Sequence, residues 1–266
     1  MIRRKCKRGI YVAYKLDVHE NHLILTINRP DIHNAINDEV MKGFKEALQF
    51  IELNQQIGYF VITGEGEKSF CSGGDLSVFH ALRTEEEALN MLNQMGEILY
   101  KVATLPIPTI ALMNGTAVGG GCEIASACDF RIMKESAKAG FIQGTLAITS
   151  GWGGATYLLQ RGLRHDQAMK LLIDAKPMSA IELKDIGFIS KLYTDDKWAA
   201  LAEFTENFSG IHQSVLRSYK QLMVREWASN GIKERVQEEI NQCARLWEAD
   251  EHHEAVQRFL TKKQKK

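Results

Sequence analysis

Cysteine is scarce in this chain and poorly placed for pairing. The five residues (Cys6, Cys71, Cys122, Cys128 and Cys243) are odd in number and contain no CxxC or Cys/His metal spacing. A disulfide scaffold is excluded, and reduced thiols in a cytoplasmic protein are expected. Net charge is also missing: 33 basic residues balance 33 acidic ones. That removes the electrostatic case for nucleic acid or a membrane surface as partner. No apolar run approaches the roughly 18 residues a membrane span needs. The opening stretch MIRRKCKRGIYVAYKLDV is basic, but Lys15 and Asp17 interrupt any apolar signal core, so it reads as a short basic arm. Proline is rare, four in 266 residues, and the length suits one large domain with an appendage.

What is present is an alternation of short β patterns and helices. IYVAYKL (10–16) and HLILTIN (22–28) read as a hairpin. Residues 37–53 open with a cap-type Asn and repeat Val40, Phe44, Leu48 and Ile51 at helical spacing. GYFVITG (58–64), PTIALMNG (108–115) and CDFRIM (128–133) read as strands, with a helix over 86–104. This order argues an α/β fold with helices packed on sheets. After about residue 195 only amphipathic helical stretches follow, punctuated by Gly210 and Gly231. The division expected is an α/β core over 1–195 and a helical region over 196–266.

Two glycine-rich loops follow strands and lead into helices: GEGEKSFCSGGDL (64–76) and NGTAVGGGCE (114–123). Glycine there serves either close packing or ligand access to the free N–H groups of a helix start. Phosphate is a poor ligand, because GxxxxGK[ST] is absent, GEGEKS carries two glutamates, and no GxGxxG follows a strand. Two backbone donors aimed at one oxygen would instead form an oxyanion hole. Glu123, one turn further on, would serve as the acid or base beside a thioester enolate.

These segments resemble the enoyl-CoA hydratase/isomerase (crotonase) family over nearly the whole chain. The matching elements, in order, are NRPDIHNAIND (28–38), KSFCSGGDL (68–76), PIPTIALMNGTAVGGGCEIASACDFR (106–131), SGWGGATYLL (150–159) and the helical tail. The resemblance implies a crotonase-like (ClpP/crotonase) spiral of repeated ββα units with a helical C-terminal trimerisation region, as a homotrimer or a hexamer. It implies an acyl-CoA substrate, with coenzyme A as part of that substrate and no separate cofactor or metal. Carried over by position, the amides of Ser72 and Gly120 are the oxyanion donors and Glu123 is the catalytic glutamate. CoA is expected along His33, Asn34, Ala35, Cys71, Gly73 and Asp75, with Gly119 and Gly121 allowing the turn and close packing.

One departure bears on the reaction. Family hydratases carry a second glutamate in a pattern like F-G-x-P-E. Here the stretch is FIQGTLAITSGWGG (141–154), two residues shorter, and no acidic residue occurs from 136 to 165. Counting forward puts Thr145 at the missing position; counting back puts Gln143 there. Neither is a carboxylate. Enoyl-CoA hydratase is the leading expectation. Double-bond isomerisation and decarboxylation of a malonyl-type CoA are the alternatives that tolerate one carboxylate, and an inactive CoA-ester binder is a further one. GGGCEIASACDFRIM with a shortened loop ending in WGG is similar to ethylmalonyl-CoA decarboxylases.

The remaining candidates have plainer readings. Asp75 caps the helix starting near Leu76. Trp152 either walls the acyl pocket or fills the core. Cys71 and Cys122 read as small buried residues. His80 takes a bland place behind the first loop. His252 and His253 read as a solvated face in EADEHHEA, and the KKQKK tail is solvated, although the resemblance implies that C-terminal lysines can approach CoA phosphates.

Overall fold

The computed structural model describes residues 12–19, 21–79, 81–208 and 210–264, with side chains to residue 261. The basic arm before residue 12, Cys6, His80 and the side chains of the KKQKK tail lie outside the described residues.

Strands β1 (Tyr14–Val18) and β2 (His22–Ile27) form the expected antiparallel hairpin, pairing Tyr14 with Ile27 and Val18 with Leu23. Helix α1 (Asp38–Leu53) starts where Asn37 accepts a hydrogen bond from the Val40 amide. Then come β3 (Tyr59–Gly64), β4 (Ser69–Cys71), α2 (Leu76–Phe79) and α3 (Glu85–Ala103). A capping box between Thr84 and Glu87 opens α3. The middle of the chain supplies β5 (Thr109–Met113), β6 (Thr116–Val118), α4 (Gly120–Ala127), β7 (Phe130–Lys134) and β8 (Lys138–Gly140). It continues through α5 (Gly154–Gln160), α6 (His165–Ile173), β9 (Met178–Ser179), α7 (Ala180–Asp185) and β10 (Lys191–Tyr193). Helices α8 (Lys197–Thr205), α9 (Gln213–Ser229), α10 (Ile232–Glu248) and α11 (Asp250–Gln264) complete the order.

Two sheets result. The larger runs β1-β2-β3-β5-β7-β10, parallel from β2 onward. The smaller runs β4-β6-β8-β9 and is built of strands of two or three residues. Every residue of β3 and β5 is buried, as befits parallel strands covered on both faces. One face meets the main core around Phe44, Phe60 and Leu99. The other packs Val61, Ile110 and Ile132 against Ala200 and Leu201 of α8. Because β3 feeds β4, and β5 feeds β6, each pair of strands delivers one of the glycine-rich loops past the C-terminal ends of neighbouring parallel strands of the small sheet.

The late helices are tied into this body. Helix α10 lies on α3 so closely that a Cβ at Gly96 would come within 2.4 Å of Ile240 Cδ1. Lys220 of α9 reaches Asp129 beside β7 at 2.6 Å, and Arg161 after α5 reaches the same carboxylate at 2.6 Å. Thr109 donates to it through both its amide and its hydroxyl. Burial opposes the Asp129 charge, but Arg161 and Lys220 hold the carboxyl below the usual aspartate range. Asp129→Asn leaves two buried cations without their counter-charge, a loss of about 3–5 kcal/mol. Urea unfolding should show it at neutral pH. The native pKa lies below the unfolded one, so this contribution is present above the unfolded value and should fade as pH falls through the native one.

Candidate active site

The first loop is shaped before it begins. After the 3-10 turn Pro30–Ile32, the backbone reverses through two left-handed residues, His33 (φ 57°) and Asn34 (φ 56°). Asn34 is fully buried. Its Nδ2 donates to the carbonyls of Glu65 (3.0 Å) and Ser69 (2.7 Å), and its Oδ1 accepts from the Arg29 amide (3.0 Å). Asn34 therefore staples two loops together and is not part of the cavity wall, where the sequence placed it. His33 and Ala35 do line the cavity. Asp75 also lines it, but its carboxylate is committed: Oδ1 accepts from the Ser77 amide and hydroxyl, and Oδ2 meets Arg29 at 2.8 Å. Burial pushes that carboxyl up, and the Ser77 and Arg29 contacts outweigh it, holding Asp75 below its ordinary value. It is a cap and an ion-pair partner.

The donor pair differs from the expected one. The Ser72 amide is spent on the His33 carbonyl at 3.1 Å. The amides of Gly74 and Gly120 make no hydrogen bond among the described residues, and both glycines line the cavity. Ser72 and Gly74 both line the cavity, but it is Gly74, not Ser72, whose amide is left unbonded beside Gly120. Sequence counting missed this because the loop's hydrogen bonding is set by residues forty positions earlier: Ile36 donates to the Gly73 carbonyl and accepts from the Asp75 amide.

The three glycines of GGGCE have three separate reasons. Gly119 takes φ 56°, ψ −122°, a conformation side chains resist. A Cβ at Gly120 would strike the Trp152 ring at 2.1 Å, and one at Gly121 would strike the Cys71 carbonyl oxygen at 2.1 Å. From the facing loop, the position a Gly73 Cβ would take is only 3.0 Å from the Gly120 nitrogen. Any side chain at Gly73 would cover that donor. Trp152 is 5 % exposed and walls the cavity while filling the space above Gly120, so both of its expected roles apply.

Glu123 sits at the bottom, 3 % exposed. Its Oε2 accepts from the amides of Trp152 (2.7 Å) and Gly154 (3.0 Å). Its Oε1 accepts from the Gly151 amide (3.3 Å) and from Nε2 of Gln143 (3.0 Å). Burial, reinforced by the nearby Glu239 carboxylate, pushes the Glu123 carboxyl up to about 7 against the pull of these amides. Of the two candidates for the missing glutamate, Gln143 faces Glu123. Thr145 lies on the exposed rim with its hydroxyl bonded to the Ile142 carbonyl. The Gln143 Oε1 is buried without a partner among the described residues. Cys71 lies behind the wall, its thiol pushed up to about 12 by burial, and burial raises Cys122 as well, so neither is poised as a nucleophile.

The cavity has a volume of about 1000 Å³. Met91 and Leu92 of α3, Cys243 and Trp247 of α10, and Phe259 of α11 line it. His252 was expected on a solvated face, yet it is 2 % exposed, meets the Leu146 carbonyl through Nδ1 at 2.7 Å and lines the cavity. Burial lowers its pKa. The clue was periodic: His252, Ala255, Val256 and Phe259 form one i, i+3, i+4, i+7 stripe. Glu239 was missed in the same way, since it stands three residues after Val236 and four before Cys243 on the apolar face of α10.

Parallel strands that bring two glycine loops and one buried carboxyl to a single cavity define a protein of the crotonase fold. An enoyl-CoA hydratase structure from Bacillus halodurans superposes with a TM-score of 0.84, covering 92% of this chain and 99% of that one at 21% identity. The chain belongs to the enoyl-CoA hydratase/isomerase family, which residues 18–266 match. It is 35% identical to a crotonyl-CoA hydratase of Syntrophomonas wolfei over 178 residues, 66% of this chain and 67% of that one. It is 31% identical to an ethylmalonyl-CoA decarboxylase of Mus musculus over 239 residues, 88% of this chain and 73% of that one. Matches to such curated relatives span between 54% and 73% of the relatives' own lengths. Among the described residues, no helix is long and apolar enough to cross a membrane.

The Glu123 environment has a consequence for stability that needs no substrate. Its native pKa, about 7, lies above the ordinary glutamate range, so the native state binds the extra proton. Stability should be highest below the unfolded value, fall as pH rises towards about 7, and level off above. Glu123→Gln should flatten that slope whatever its effect on the absolute melting temperature. Thermal melts of both proteins between pH 4.5 and 8.5 check this.

Proposed function

We propose that this chain is an acyl-CoA thioester enzyme that works through an enolate, with Glu123 as its one acid–base carboxyl and the Gly74 and Gly120 amides as the oxyanion donors. The observation that carries this reading is the pairing of two unbonded amides with a buried carboxyl opposite an amide side chain, Gln143. Preorganised donors of this kind are typically worth ~2.7–4 kcal/mol each at a developing oxyanion. The apolar walls around Phe79, Met91 and Trp152 suit an acyl chain, and the exposed mouth near His33 suits the CoA. CoA enters as part of the substrate, and the reading calls for no other cofactor.

Decarboxylation of a malonyl-type thioester is the reaction this arrangement supports best. The bond between the α-carbon and the carboxylate breaks, CO2 leaves, and the electron pair passes into the enolate with its charge on the thioester oxygen. The two amides stabilise that oxygen. Protonated Glu123 then delivers its proton to the α-carbon and recovers one from solvent. No base is required to form the enolate, and a carboxyl poised near neutrality is suited to the donation. Hydration is the second reading, supported by the hydratase relative; it asks Glu123 to act as a base on water while another group supplies the second proton. The apolar residues Val215, Tyr219, Leu222 and Met223 exposed on α9 support a homotrimer or hexamer, assembled through the helical region that follows the 1–195 core.

Mass-spectrometric turnover of crotonyl-, 3-enoyl-, methylmalonyl- and ethylmalonyl-CoA tests the proposal. Loss of CO2 is expected, with kcat falling as pH rises through about 7, because the proton-bearing form of Glu123 is lost there. Glu123→Gln should reduce turnover by at least ~10²-fold. Gain of water with a rate that rises through the same pH would establish the hydratase instead, and full activity in Glu123→Gln would overturn both.

A further inference from the structure

The second carboxylate of this site comes from the other end of the chain. Glu239 of α10 is not part of the cavity wall. It binds the loop that holds Glu123. Its Oε1 accepts from the Ser150 hydroxyl (2.6 Å) and the Ala155 amide (3.1 Å). Its Oε2 accepts from the Thr156 amide (2.8 Å) and hydroxyl (2.7 Å). The amides of Gly151, Trp152 and Gly154, which hold Glu123, lie between these anchor points. Two carboxylates therefore share the start of one seven-residue helix, α5: Glu123 takes the amides of Trp152 and Gly154, and Glu239 takes the next two.

Their surroundings leave the mutual repulsion unrelieved. The titratable groups facing Glu123 are Glu239 and Cys243 from α10, Tyr157 from α5 and Cys122 from its own helix. Burial holds the thiols and the phenol neutral, and no ion pair reaches either carboxylate among the described residues. His252 of α11 lines the same cavity and is engaged with the Leu146 carbonyl. Burial raises the Glu239 carboxyl as well, against the pull of its two hydroxyl and two amide donors. A carboxylate there makes Glu123 harder to ionise. A gap tight enough to exclude a Cβ at Gly154 (2.5 Å from Glu123 Cγ) keeps the lower carboxyl from retreating.

We propose that Glu239 is the positioning residue for Glu123: it anchors from α10 the loop that orients the catalytic carboxyl, and it sets a second acidic group on the next two amides of the same helix start. This rests on the enolate reading for its importance to catalysis but not for its physical content. Loss of a structural anchor alone would loosen the amides that hold Glu123 and raise its midpoint, whereas loss of a neighbouring acidic group lowers it.

The test is an NMR titration of protein labelled with 13C at the glutamate δ-carboxyl, in which Glu123→Gln identifies the Glu123 signal. The wild-type signal is expected to titrate near neutrality. In Glu239→Gln its midpoint should fall by about one pH unit, a tenfold change in the ratio of protonated to ionised Glu123. Thr156→Val removes one hydroxyl donor from Glu239, which then holds its proton to higher pH and repels Glu123 less; it should shift the midpoint the same way by less, and it decides the matter if Glu239→Gln does not fold. A Glu123 midpoint that stays in place in the folded variants overturns the proposal, as does a wild-type midpoint in the ordinary glutamate range. Neither reading depends on turnover, so an enzyme inactive on every ester tested would count against the enolate mechanism and leave this result standing.

Discussion

Everything at this site depends on a carboxyl group that is buried and given hydrogen bonds but no counter-charge. An ionised carboxylate out of water is destabilised unless it is paired or heavily hydrogen-bonded. Glu123 receives three backbone amides and one side-chain amide, enough to make burial tolerable and too little to keep the group permanently ionised. A lysine or arginine in the same place would have locked it as a carboxylate. The same chain supplies such a lock elsewhere: Asp129 has Arg161 and Lys220 around it and is held charged. The contrast between these two buried acids separates a carboxyl left near neutrality from one held charged to join helices to a sheet.

The loops around Glu123 are rigid because their backbone groups are accounted for. Asn34 and Asn114 both donate to the Ser69 carbonyl, binding the turn before α1 and the turn after β5 onto β4. Ile36 clips the first loop through Gly73 and Asp75. Once these bonds are made, the amides of Gly74 and Gly120 are left over, and they face the cavity. An N–H with no protein partner is unfavourable in the resting protein. That is the form in which binding energy for an anionic oxygen can be held in advance.

Much of this was legible in the sequence, and the gaps have physical causes. The hairpin, α1, α3, the three buried strands and the four late helices followed from periodicity and caps such as Asn37, because each is long enough for its pattern to repeat. The strands of the small sheet have two or three residues, too few to show a period, and none was read as a strand. Glu123 and Gly120 were found by motif, and both line the cavity. Ser72 was taken as a donor by its position in the family resemblance; that its amide is consumed by His33 is a tertiary fact invisible in the loop's own letters. Glu239 and His252 looked like ordinary solvated charges on amphipathic helices. Only the folding of α10 and α11 over the cavity makes them part of it, although each stands on the apolar stripe of its helix. Gln143 could be placed only to within two residues by counting, and its hydrogen bond to Glu123 sets it, and not Thr145, beside that carboxyl.

The most direct measurement is solvent hydrogen exchange at the α-carbon of a saturated thioester such as butyryl-CoA, incubated with the protein in D2O. It reads enolate formation and Glu123 proton transfer together, without assuming which leaving group the natural substrate carries. Deuterium should enter the α-position in the wild type and not in Glu123→Gln, at a rate that rises with pH through about 7, since exchange in this direction uses the carboxylate. An ester that binds and acquires no deuterium, or acquires it equally in both proteins, would contradict the role given to the Glu123 carboxyl.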